Sequence, residues 1–87
     1  MLTDSRKETV TMTDQILTPR QREIVELVAN GYTRDQIARK LGISPRTVTQ
    51  FKMDARHRVG YRLGVIVPST PMLTALCVKY GEIDIYA

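Results

Sequence analysis

Apolar residues recur along this chain at helical spacing, in bursts separated by turn-forming residues. In "LTPRQREIVELVANGY", Ile24, Leu27 and Val28 make one stripe, with Val25 beside it. Thr18 suits an N-cap, Pro19 the first helical position, and Gln21 completes a Thr-x-x-Gln capping box. Gly31 can take the left-handed conformation that stops a helix. In "TRDQIARKLG", Thr33 and Gln36 repeat the capping-box spacing, Ile37, Ala38 and Leu41 face inward, and Gly42 ends the run. In "SPRTVTQFKMDARHRV", Ser44 caps and Pro45 opens a third helix. That helix ends at Gly60 or continues to Leu63. A last helix starts at Thr70 or Pro71 and stops before Gly81. No strand-like alternation interrupts these segments, so the pattern predicts an all-α chain of four helices.

The third helix has two distinct sides at about 100° per residue. Val48, Phe51, Ala55 and Val59 fall on one, facing the first two helices. Arg46, Thr49, Gln50, Met53 and His57 fall on the other, and Lys52 and Arg56 lie on a flank. Hydrogen-bonding side chains with cations beside them suit a DNA major groove, which is about 12 Å wide and rimmed by phosphates. The spacing in the two preceding helices agrees. Ala38 is small enough for close helix approach, Gly42 follows four positions later in the turn, and apolar Val48 six beyond that. This is the helix-turn-helix pattern, in which one helix braces another so that its N-terminal half projects.

Charge sharpens the picture. The chain carries a net +4, but residues 18–64 hold +6, whereas residues 1–17 and 65–87 hold −1 each. A basic excess confined to the helix-turn-helix segment points to a polyanion. Enzyme chemistry has little to stand on. There is one histidine, with no carboxylate pair, metal-ligand cluster or Gly-rich phosphate loop, so no catalytic residue, metal or cofactor is expected. The single cysteine, Cys77, excludes an internal disulfide and fits a cytoplasmic protein. No apolar run approaches the roughly 20 residues of a membrane helix.

The stretch "LTPRQREIVELVANGYTRDQIARKLGISPRTV" resembles the LuxR-type helix-turn-helix, the DNA-binding domain of many bacterial regulators. The likeness lies in "LTPR" opening the first helix, a glycine-aromatic pair closing it, "IA" with "LG" in the second, and "ISPRTV" opening the third. It spans about Leu17 to Val59. It implies a tetrahelical domain whose last helix often supports dimerisation. By position it implies base contacts at Thr49, Gln50 and Met53 and DNA-backbone contacts at Arg46, Thr47 and Lys52. His57 joins the first set as an exposed groove-side residue, and Thr33, Arg34 and Arg56 join the second. The order Thr49, Gln50, Phe51 departs from the usual family sequence, so no operator preference carries over. The link "VIVPSTP" is longer than the family's.

Leu73, Leu76, Cys77 and Tyr80 make one stripe on the last helix, and Met72, Ala75 and Val78 add apolar surface round the remainder. A helix apolar nearly all round needs cover on two sides. Its own domain supplies one. A second copy of the chain, pairing through the Leu73–Leu76–Cys77–Tyr80 stripe, supplies the other, or else "VIVPS" or "EIDIYA" folds over it. The expected organisation is a disordered polar leader at 1–16, the domain at 17–81 and a short tail at 82–87. Such a leader is too short for a ligand pocket, which implies a stand-alone bacterial or phage-like regulator. The expected partner is double-stranded DNA, bound by a homodimer. The rival function is a protein-binding module of the same fold docking on RNA polymerase or another regulator.

Overall fold

The structure, a computed structural model, describes residues 15–86. Disorder was expected of the leader, whose residues 1–14 lie outside the described residues. The described residues form α1 (Pro19–Ala29), α2 (Arg34–Leu41), α3 (Pro45–Leu63) and α4 (Thr70–Lys79), with no strand among them.

Local chemistry sets the starts. Thr18 Oγ1 accepts from the Gln21 amide at 3.2 Å, and Gln21 Oε1 accepts from the Thr18 amide at 3.0 Å. Thr33 and Gln36 repeat this at 3.2 and 2.8 Å. Each box satisfies two amide donors that the first helical turn leaves open. Ser44 and Ser69 cap α3 and α4 by accepting from the Thr47 and Met72 amides.

The helix α3 passes through Gly60 and stops at Leu63, with Gly64 in the left-handed conformation as its cap. The glycine at 60 serves a close approach rather than a break. The link after α3 turns back onto the helix, and the Val65 amide donates to the Gly60 carbonyl at 3.0 Å. A Cβ at position 60 would lie 2.6 Å from the Val65 carbonyl oxygen, closer than any side chain allows. Arg56 fastens the same link from below, donating from Nε to the Val67 carbonyl and from Nη2 to that of Pro68, each at 3.1 Å.

Two apolar clusters hold the helices. Ile24, Leu27, Ile37, Ala38 and Val48 join α1, α2 and the start of α3, with Phe51 packed alongside. Val25, Ala55, Val59, Leu73 and Cys77 join α1, the middle of α3, and α4. Helix α1 therefore buries two faces, and Val25, which lies beside its main stripe, belongs to the second. The packed unit also extends past the 17–81 span drawn from the sequence, because Ile16 and Ile83 are buried in this second cluster together with Val67 from the link.

What brings Ile16 and Ile83 together is a buried carboxylate. Glu82 Oε2 accepts from the Ile16 amide and Oε1 from the Leu17 amide, both at 3.0 Å. Arg58 Nε donates to the Ile16 carbonyl on the other side of the strap, at 2.6 Å. Two amides that make no other hydrogen bond among the described residues are thus satisfied by one side chain from near the other end of the domain. Glu82→Ala should lower the free energy of unfolding by about 1–3 kcal/mol, the cost of stranding buried donors, with Glu82→Gln falling between the two. Urea unfolding followed by helical signal measures this, and an unchanged midpoint in Glu82→Ala would mean the clasp holds nothing.

Cys77 lies in the same region. Burial pushes its thiol up from 9.0 to about 11, and the Glu82 carboxylate adds to the shift. An alkylating reagent should therefore react promptly with the unfolded chain at pH 9 and slowly with the native one. The unfolded chain releases this proton first, so the thiol's contribution to stability is complete below pH 9 and declines as the pH rises towards 11.

Candidate functional site

The two clusters grip α3 along one side, where Val48 and Ala55 are 0% exposed and Val59 1%. The opposite side is open to solvent and presents Arg46, Gln50, Met53, Asp54 and His57. Thr47 and Thr49 lie half-buried at its edges, as does Lys52 on the flank. These are the positions a regular helix must expose once Val48, Ala55 and Val59 are turned inward.

The polar groups on this face are in definite hydrogen-bonding states. Thr49 Oγ1 donates to the Pro45 carbonyl at 3.3 Å, which leaves its hydroxyl lone pairs able to accept. Thr47 and Ser44 share a hydroxyl–hydroxyl bond of 2.9 Å at the helix start. Gln50 Nε2 donates to Asp54 Oδ1 at 3.0 Å, one turn along. Met53 is 42% exposed. Asp54, unlike Gln50, did not figure among the residues expected to act. Its signal in the sequence is an amide and a carboxylate four residues apart on a helix.

The cations divide into committed and available ones. Arg39, Lys40, Arg46 and Lys52 make no hydrogen bond or ion pair among the described residues. Arg34 meets Asp35 only at 3.8 Å, with both side chains more than half exposed, so its charge is available too. Thr33, beside it, spends one lone pair on its capping box. Arg56 is different. It is expected at a DNA phosphate, and here two of its five N–H groups are spent on the two carbonyls of the link after α3. A long side chain on the helix flank found nearer acceptors within its own chain. His57 lies where that link covers the end of α3, lining a hollow with Gly60, Tyr61, Val65 and Ile66. The clear part of the face is accordingly the N-terminal half of α3.

On α4 the expected pairing stripe divides. Leu73 and Cys77 are 0% and 1% exposed within the chain's own core and offer no surface to a second copy. Leu76 packs half-buried against the same cluster, and Tyr80 stays exposed with Lys79 Nζ 5.6 Å above its ring. The outward face of α4 instead carries Ala75 and Val78, which form a shallow hollow with Ala29, Thr74 and Ile85. The tail supplies part of the cover the helix needs. Ile83 is buried, while the Asp84 amide donates to Glu26 Oε2 at 2.8 Å and Asn30 Nδ2 donates to the Asp84 carbonyl at 2.9 Å.

Compared with known proteins, residues 15–62 match the family described as "Bacterial regulatory proteins, luxR family". The match covers more than half the chain and runs from the strap at Ile16 almost to the end of α3, leaving α4 outside it. A search of curated proteins found no match.

Proposed function

The chain belongs to the luxR family of bacterial regulatory proteins, whose helix-turn-helix domains bind DNA and regulate transcription, and from that premise we propose that it reads operator sequence with the N-terminal half of α3 in the major groove. One observation supports this reading: the outward side of α3 is solvent-open, polar and flanked by cations uncommitted among the described residues, while its other side is locked into the core. In this reading Thr49, Gln50 and Met53 meet base edges, with His57 at the far end of the face. Arg46, Thr47 and Lys52 hold the backbone on one side, and Thr33 and Arg34 reach it from the start of α2. Arg56 acts through the link it fastens.

Gln50 can pair with adenine through an amide donor and acceptor together, which discriminates by roughly 1–3 kcal/mol. Lys52 on the flank meets a phosphate, which carries no sequence information. The dimer we propose uses Ala75 and Val78, the exposed apolar positions of α4, and places two α3 helices in successive major grooves about 34–36 Å apart. Cytoplasmic action follows from the location of the DNA. Among the described residues no helix is long and apolar enough to cross a membrane.

One observation favours docking on RNA polymerase or another regulator as a further role: Tyr61 and Ile66 stand 91% and 84% exposed beyond the clear face of α3. A pure protein-binding module would show little affinity for random duplex at any salt. A DNA binder loses affinity with salt at a slope of about −0.9 per phosphate neutralised.

Selection of bound duplexes from a random pool tests the recognition face. Gln50→Ala should relax preference at one or two base positions and barely change the salt slope. Lys52→Ala should weaken all sequences about equally and reduce the slope by about one. An unchanged motif with Gln50→Ala rejects the assignment of the reading face.

Sedimentation tests the dimer. Val78→Glu should give a folded monomer that selects single half-sites in place of palindromes. A wild-type chain that is monomeric at every concentration, on and off DNA, rules the pairing out.

A further inference from the structure

Asp54 is an anomaly on a surface that meets a polyanion. It is an exposed carboxylate on the outward side of α3, between Met53 and the buried Ala55. Its Oδ1 accepts a hydrogen bond from Gln50 Nε2 at 3.0 Å. Neither group is tied to any other residue by a hydrogen bond or ion pair among the described residues.

A carboxylate can only accept, so the atom it holds must be the amide nitrogen of Gln50. That settles which way round the amide lies. Gln50 is left with one N–H and the whole of Oε1 to offer outward. Adenine presents an acceptor, N7, beside a donor, N6–H, and matches one donor and one acceptor. Guanine presents two acceptors, N7 and O6, and asks for two donors. Gln50 could meet guanine with both N–H groups only by releasing Asp54. With the bond kept, Oε1 would face guanine O6, acceptor against acceptor.

Resting on the assignment of Gln50 as a base reader, we propose that Asp54 is a positioning residue that sets Gln50 for adenine against guanine by holding one of its amide hydrogens. Its negative charge repels DNA phosphates, so the selectivity is obtained at some loss of affinity for every duplex. This combination separates the proposal from a merely structural role, because removing Asp54 should raise general affinity while lowering discrimination.

The experiment compares wild type, Asp54→Ala, Asp54→Glu and Gln50→Ala in duplex selection, followed by titration of the selected site and its adenine-to-guanine variant. In Asp54→Ala the adenine-over-guanine ratio at the Gln50 position should fall at least about fivefold, with random-duplex affinity equal or higher. Asp54→Glu keeps a carboxylate one helical turn from Gln50 and should restore most of the ratio. If Gln50→Ala erases the preference while Asp54→Ala preserves it, the proposal fails and the assignment of Gln50 stands. The proposal also fails if Asp54→Glu loses the ratio as fully as Asp54→Ala. If Gln50→Ala leaves the motif unchanged, the recognition face itself is misassigned and the role of Asp54 falls with it.

Discussion

The orientation of one helix governs this molecule, and it is held at two separate points. Val48 anchors the start of α3 against α1 and α2, and Ala55 with Val59 anchors its middle against α1 and α4. A single anchor would leave the helix free to pivot. Two, both leading back to α1, fix its direction and its rotation about its own axis together. Helix α1 can serve both clusters because Ile24 and Leu27 point one way and Val25 the other. The exposed face of α3 is then a consequence of packing. With Val48, Ala55 and Val59 turned inward, helical geometry leaves Arg46, Gln50, Met53 and His57 outward.

The second anchor depends on parts of the chain far from it in sequence. Val67 from the link after α3, Ile83 from beyond α4 and Ile16 from before α1 complete the cluster around Val59 and Leu73. Polar contacts hold each of them there. Glu82 clasps the amides of Ile16 and Leu17, Arg58 holds the Ile16 carbonyl, and Arg56 holds the carbonyls at Val67 and Pro68. The small size of the domain explains the arrangement. With about 60% of the unfolded surface buried in chains of this length, the four helices alone make a thin core, and the flanking segments thicken it.

These contacts also sort the basic residues. Arg56 and Arg58 carry charge but serve the fold, whereas Arg39, Lys40, Arg46 and Lys52 are uncommitted among the described residues. Net charge counts all of them alike. The difference lies in whether a backbone carbonyl of the same chain comes within reach. Near the end of α3 the link and the segment at Ile16 supply such carbonyls, and near its start Arg46 and Lys52 bond to none among the described residues.

The boundaries of the helices, the turn at Gly42 and the inward and outward sides of α3 were legible in the sequence because local forces decide them. A capping box needs residues three apart, a left-handed glycine acts at one position, and an amphipathic face repeats every turn. The family likeness was legible for the same reason, since the matched residues 15–62 contain those caps, turns and stripes in order. The tertiary structure alone decided whether Gly60 breaks α3, because the answer lies in the carbonyl of Val65 pressing on it. It alone assigned Leu73 and Cys77 to the chain's own core, where the sequence favoured a second copy of the chain as the partner of the α4 stripe. It alone brought Glu82 to Ile16, across 66 positions of chain. Contacts over such distances leave no period and no local spacing, so they become visible only when the packing that creates them is complete.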